Sequence, residues 1–463
     1  MRRGRPERVN RPTALFLSFV ALLAFALFFL VPPFLDAAPA YRPRPSGTTY
    51  AYSFLVVAAF LPYAGAVWAS RRGLSLRTAL TGAAVLHLVL LPAALTQSQD
   101  VYAYLFYGKM WAVHGANPVA ELPLRFGSDP WFAWMRWPDQ PSVYGPLWTM
   151  LTGGIARLSG ESLMGALLLV KAAVVGLTTV AVAGLVREAQ ARGIDPGRVV
   201  VLFAWNPVVL VSLPLGGHAD AAVAACWGWA ALQDRRGRTV TAALLLAAAA
   251  LVKAYAAIAL VVYLVALIRR RAGWVRAGVA AAGLAVLSYL PFLAGERTLA
   301  GLVRAADEAS ASLGGGVEML LRAFLPEDLA AGIVLVAGLA VIVTVITVSA
   351  SREGFADDPW PAVSAAFLTY VAVTPWFLYW HQVGLLAVAA VAASGPVRAA
   401  AYAFSGTSML TASFDGSPWG RTVQTALRYG VPAGAYLMTR RRGVEMTGFE
   451  PATSGLQSRR SSS

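Results

Sequence analysis

Apolar runs long enough to cross a bilayer recur from one end of this chain to the other, at about residues 13–31, 51–70, 79–96, 162–186, 239–268, 277–293 and 329–350, with shorter runs between and after them. About 20 apolar residues make a helix as long as the hydrocarbon layer is thick, and within that layer the backbone must satisfy its own hydrogen bonds. The pattern therefore predicts an all-α fold, a polytopic membrane bundle of about 12 to 15 transmembrane helices. Composition agrees, since 58% hydrophobic and 13% charged residues leave too little polar surface to coat a soluble core. One integral domain over residues 1–442 is the expected organisation, with the apolar run after the basic N-terminus kept as the first helix.

The net charge of +15 is carried almost wholly by arginines in short segments between apolar runs, which is how topology is fixed and not how nucleic acid is bound. The positive-inside rule puts Arg71, Arg72 and Arg77, Arg187 to Arg198, Arg235 to Arg238, Arg269 to Arg271 and Arg440 to Arg442 on the cytoplasmic side. The loop at about 97–145 then falls outside, provided that 145–155 dips into the membrane without crossing and 239–268, broken near Lys253, passes twice. A second outer loop is expected over about 294–328, where Gly314-Gly315-Gly316 suggests mobility. The single cysteine, Cys226, offers no disulfide framework within one chain.

The first outer loop is the most unusual part of the chain. It opens on Asp100, where an apolar helix meets water, and is dense in Trp, Tyr, Pro and Arg, as an active site facing outward would be. There are three lysines: Lys109 in this loop, Lys171 in an apolar run and Lys253 in the middle of another. A charge at membrane depth is costly and faces a polar cavity or a partner. Lys253 is thus a candidate contact for a lipid phosphate, with snorkelling or a structural pair as the alternative. Lys171 reads more readily as a structural pair. Pro207 and Pro214 free backbone groups that hydrocarbon tolerates only around a cavity, and His218 and Asp220 follow in Gly217-His218-Ala219-Asp220. These two could line that cavity, supply half of a metal site, or be an interfacial His beside a helix cap. Pro375-Trp376-Phe377-Leu378-Tyr379-Trp380-His381 adds an aromatic cluster at another boundary. The sequence holds no phosphate-binding Gly-rich loop, no nucleophile elbow and no zinc-protease motif, which argues against ATP-driven chemistry.

Taken in order, Asp100 to Gly108, His114 to Pro118, Tyr144 to Trp148, Asn206-Pro207, Gly217 to Asp220, Lys253 and Pro375 to Trp380 resemble the GT-C membrane glycosyltransferases, and most closely the actinobacterial polyprenol-phosphate-mannose-dependent alpha-mannosyltransferases. The likeness covers about residues 79–395 and departs from the family at Val119, where Tyr is usual. It implies transfer of a hexose, mannose by preference, from a polyprenyl-phosphate sugar to a lipid-linked or cell-envelope glycan acceptor at the outer face of the cell membrane. It also implies an inverting mechanism, with Asp100 as base. Tyr102, Tyr104, Lys109, Asn117, Tyr144, Asn206, His218, Asp220, Lys253, Trp376 and Trp380 would contact the substrates. Arg125 or Arg136 could join the cations at the phosphate, and Trp134 and Trp137 could stack on sugars. A divalent metal stays open. Two other classes share the hydrophobicity and the outer loops: a lipid or polysaccharide transporter (flippase), and a ligase or polymerase of lipid-linked glycans. Beyond Arg442 the periodicity is lost, and residues 443–463 are expected to be disordered; Met446 to Gly455 resembles a peptide found at the ends of unrelated bacterial sequences, so a tail foreign to the fold is expected there.

Overall fold

The computed structural model describes residues 11–31, 54–95, 98–299, 301, 312–375, 377–409 and 418–441. The tail at 443–463 and Trp376 lie outside the described residues. In chain order the principal helices are α1 (Arg11–Phe28), α2 (Phe60–Ala69), α3 (Leu76–Leu90), α4 (Asp100–Ala112), α5 (Pro146–Ser159), α6 (Leu163–Ala191), α7 (Pro196–Ala204), α8 (Asp220–Arg235), α9 (Thr239–Val252), α10 (Ala257–Arg270), α11 (Trp274–Tyr289), α12 (Leu313–Leu321), α13 (Glu327–Ala350), α14 (Trp360–Val373), α15 (Val383–Val391), α16 (Gly395–Ser408) and α17 (Pro418–Arg441). Among the described residues, β pairing is confined to one isolated bridge between Ala294 and Glu296.

The fold is all-α, as the apolar pattern requires. Among the described residues, five segments are long and apolar enough to cross a membrane: Arg11–Phe28, Phe54–Arg72, Leu163–Ala191, Trp274–Phe292 and Glu327–Ala350. A sixth is the pair Pro196–Ala204 and Pro207–Leu215, bent by 58°. That is fewer than the expected 12 to 15, and the reason is local. Apolar runs are cut by residues that cannot continue a helix, leaving α3, α9, α14 and the stretch Tyr379–Val391 as shorter apolar helices. The cut in 239–268 falls at Lys253, whose extended backbone (φ −141°, ψ 121°) separates α9 from α10. The Gly314-Gly315-Gly316 run, expected to be mobile, lies inside α12, where Gly314 packs against the carbonyl of Val373.

The longest helix, α6, has 29 residues and so spans about 44 Å. Ser162 caps it, its side chain accepting the Gly165 N–H at 3.0 Å. It packs along α8, and the two approach closely where Gly184 faces Trp229 and Gly228. At the C-terminal ends of both helices a polar network closes the bundle. Glu188 accepts from Arg192 at 2.5 Å and Arg235 at 3.1 Å, and Arg192 grips Asp358 with two bonds of 2.7 and 3.0 Å. Asp234 accepts from Arg270, from the Tyr263 hydroxyl at 3.1 Å and from the Trp360 indole at 3.2 Å. The arginines that sequence assigns to one side of the membrane are therefore also the ties between helices. Asp220 begins the 16-residue helix α8 and Asp234 nearly ends it, so the helix holds this network about 20 Å from the opposite end.

At that opposite end α4 is buried on nearly every face. It crosses α5 at Gly108 and Gly153, where an added methyl on either residue would collide with its neighbours. The start of α5 is tied to the break in the next pair of helices, since the Gly145 N–H donates to the Val252 carbonyl at 3.2 Å. A Cβ at Gly145 would overlap the Leu251 carbonyl, whereas one at Gly154 on the same helix meets nothing within 4 Å. Gly145→Ala is therefore expected to destabilise the protein by about 1–3 kcal/mol through forced overpacking, while Gly154→Ala does not. Thermal unfolding of the two detergent-solubilised variants compares them directly, and equal midpoints would contradict the close approach.

Candidate active site

Asp100 is the first residue of α4, and its backbone N–H donates to the Ser98 hydroxyl at 3.1 Å. A carboxylate at this position faces the positive end of the helix dipole. The residue is only 8% exposed. Burial pushes its carboxyl up from the ordinary value, with the Lys253 charge and the Ser98 hydrogen bond opposing that rise. Besides the neighbouring Ser98 and Tyr104, a group from far along the chain faces it. His218 places Nδ1 3.9 Å from the Asp100 Oδ2 and 3.3 Å from the Tyr104 hydroxyl.

The turn that carries His218 is built for close contact. Gly217 has a left-handed backbone (φ +66°), and a side chain there would press on Val101, the residue after Asp100. The His218 N–H donates to the Ser212 carbonyl at 3.1 Å. Its ring lies flat on Trp380, centroids 4.0 Å apart and planes 17° from parallel. On the other flank Tyr104 meets Tyr144 and Trp148 edge-on, at 4.5 and 5.6 Å. Three elements that sequence motifs alone could not join, α4, the 216–219 turn and the 379–382 turn, thus converge on one carboxylate.

Beside this group sits an ion pair. The Lys253 Nζ lies 3.0 Å from the Asp220 Oδ2, with Asp220 wholly buried and Lys253 nearly so. Tyr255 donates its hydroxyl to the other oxygen of Asp220, and its ring lies against His381. Lys253 takes this position at the break between α9 and α10, where its backbone is extended. Lys171, expected to be a structural pair, donates instead to the carbonyls of Leu90, at 3.3 Å, and Ala93, which terminate α3 a few residues before Asp100.

Other expected contact residues have their side chains committed elsewhere. Lys109 is 2% exposed, forms an ion pair with Asp129 at 2.9 Å and lies over the Trp131 ring at 4.3 Å. Asp129, held below its usual range by Lys109, the Trp131 N–H and His114 against the effect of burial, completes a tie that folds the outer loop onto α4. Asn117 donates to the Phe292 carbonyl at 3.0 Å and anchors the same loop to the end of α11. Asn206 caps the turn after α7, accepting from the Val208 N–H at 2.9 Å and donating to Ser405 at 3.2 Å. Tyr102 is buried against Trp134, 4.9 Å away. Arg125 is an exposed partner of Glu121, and Arg136 lies 6.0 Å over the Trp137 ring. Sequence reasoning missed Ser98 and Tyr255. The signal for Tyr255 was present, a second polar residue two places after Lys253 in an otherwise apolar run. Among the described residues no three His, Cys, Asp or Glu side chains gather where a metal ion could sit.

Residues 39–269 match the MptA/B family, described as alpha-(1->6)-mannopyranosyltransferase, N-terminal domain. That stretch contains Asp100, Tyr104, Tyr144, His218, Asp220 and Lys253, and ends before Trp380. An alpha-(1->6)-mannopyranosyltransferase of Mycobacterium tuberculosis is 31% identical over 138 residues, which is 29% of this chain and 23% of that protein. The matched stretch thus spans under a quarter of the relative's length. No solved structure matches the chain. On this match, over residues 39–269, the chain belongs to the MptA/B family, and its fold is all-helical with several apolar spans.

Proposed function

We propose that this protein transfers mannose from a polyprenyl-phosphate mannose donor to a lipid-linked or cell-envelope glycan at the outer face of the cell membrane, with inversion and with Asp100 as the base. The observation that carries the reading is the separation of two buried carboxylates. Asp220 is ion-paired with Lys253 at 3.0 Å, while Asp100 has no lysine or arginine within ion-pair distance among the described residues and faces a histidine at 3.9 Å. A base needs a free lone pair; a phosphate site needs a cation. The two are side by side here.

The step balances as follows. The acceptor hydroxyl oxygen attacks the anomeric carbon, its proton passes to Asp100, and the bond from that carbon to the phosphate oxygen breaks with its electron pair leaving on the lipid phosphate. Negative charge grows on the phosphate as it departs, and Lys253 next to it stabilises that charge more in the transition state than in the bound donor. Tyr144, half-buried at the edge of Tyr104, offers aromatic surface to the sugar. The outward orientation rests on the arginines of the far network, which the positive-inside rule places in the cytoplasm.

Asp100→Asn should lower kcat about 10²- to 10⁴-fold with the protein still folded, measured as transfer of labelled mannose in reconstituted membranes. Transfer at the wild-type rate would remove Asp100 from the mechanism. Because the base must be ionised and burial raises its pKa, activity should climb with pH through a limb lying above the ordinary carboxylate range near about 4. A pH–rate profile already flat at pH 4.5 would contradict this. Removing the ion pair as a unit, Lys253→Gln with Asp220→Asn, leaves neither charge buried alone and should still cost about 10²-fold in kcat. A double variant with wild-type turnover would show that the pair serves only the fold.

A further inference from the structure

Resting on the transfer reaction above, the site raises a question of where the proton goes next. Once Asp100 has accepted it, the protonated carboxyl is buried, and burial favours keeping it protonated. Turnover needs a path by which that proton leaves. The geometry points to His218.

Four observations converge on this residue. Its Nδ1 faces Asp100 at 3.9 Å and the Tyr104 hydroxyl at 3.3 Å. Its Nε2 is fully buried and has no hydrogen-bond partner, an unusual state for a polar atom in a packed interior and one that a ligand would relieve. The ring is held in place by the Trp380 stack, by the His218 N–H bond to Ser212 and by the Gly217 turn, so it has one orientation. Lastly, the carboxylate next along the chain, Asp220, is already engaged by Lys253 and Tyr255. The charged or titratable groups around the ring are thus Asp100 and Tyr104 from α4, Lys253 from the helix break, Asp220 from α8 and His381 from the 379–382 turn. Burial, Lys253 and His381 all hold the resting imidazole neutral, so a proton reaching the ring is passed on and not kept.

We propose that His218 is a proton relay acting through Asp100: its Nδ1 takes the proton that Asp100 received from the acceptor, and its Nε2 gives one to the departing lipid phosphate. The imidazole ends neutral, as it began, and its tautomer resets by exchange through the same phosphate or water. A phosphate monoester, with its second ionisation near about pH 6, is a base well matched to an imidazolium. No co-reactant is needed, because the leaving phosphate is the product of the transfer itself.

The test uses the full chain reconstituted in vesicles with polyprenyl-phosphate mannose and a lipid acceptor. His218→Asn keeps an amide near the position of Nδ1 but cannot take up and pass on a proton, and should lower kcat about 10²-fold while the donor KM moves less than about 3-fold. His218→Gly opens a slot; added imidazole should restore its turnover several-fold, in proportion to the free base, and should leave Asp100→Asn inactive. A His218→Asn enzyme with wild-type kcat would overturn the relay, as would a rise in donor KM with kcat retained, which would mark a sugar contact. Failure of imidazole to restore a His218→Gly protein that unfolds at the wild-type temperature would overturn it too. If the wild type itself transfers nothing from this donor, the fault lies in the reaction proposed for the protein and the relay falls with it.

Discussion

An ammonium in the middle of an apolar run cannot be left to hydrocarbon, and the pairing of Lys253 with Asp220 settles much of the surrounding structure. To reach Asp220 the chain gives up helical geometry at Lys253, dividing one long apolar run into α9 and α10. The exposed backbone at that break does not go unsatisfied: Gly145 supplies an N–H to the Val252 carbonyl, and the absence of a side chain on Gly145 lets α5 come close enough to do so. The start of α5 in turn sets Tyr144 and Trp148 against Tyr104 on α4. One buried ion pair thus links the break, the outer loop and the helix that carries Asp100.

The same bundle is closed at its far end by a different kind of polar network, in which arginines bridge helix ends through Glu188, Asp234 and Asp358. Removing one partner of such a network leaves a buried charge alone, so these ties hold the relative rotation of α6 and α8 firmly. Rotation matters at the other end, because α8 presents Asp220 and the turn before it presents His218. A helix anchored by Asp234 at one end is a rigid arm positioning Asp220 at the other.

The class of fold was legible in the apolar runs, because the bilayer thickness and the need to satisfy the backbone leave few solutions. The number of full spans was not. A hydropathy pattern reads straight through Lys253 and through Asn206-Pro207, whereas the helix stops at both. Asp100, His218, Asp220 and Lys253 stood out in sequence as polar residues where polarity is costly, and the fold brings them together. Lys109, Asn117 and Asn206 stood out by the same reasoning, yet their side chains tie the loop and cap a helix. Polarity at a boundary marks a residue that must find a partner; it does not tell whether the partner is protein or substrate. Ser98 was illegible because it acts on a carboxylate that only the local turn puts within reach, whereas Tyr255 showed its polarity in the sequence but meets its carboxylate only through the break at Lys253.

What distinguishes the two carboxylates is environment, not residue type. Asp220 lies at the start of α8 with a cation at 3.0 Å and a phenol on its other oxygen. Asp100 has a hydroxyl at its backbone, a phenol and an imidazole nearby, and burial that makes its protonated form accessible. In the proposed reaction, a base and a paired cation lying side by side would let the acceptor proton and the leaving phosphate separate. Exchanging their surroundings would exchange their chemistry, since a carboxylate beside an ammonium is a weaker base toward an acceptor hydroxyl. In the proposed reaction the fold therefore contributes asymmetry: two aspartates, nearly equal in sequence, made unequal by a helix break that gives one of them a lysine.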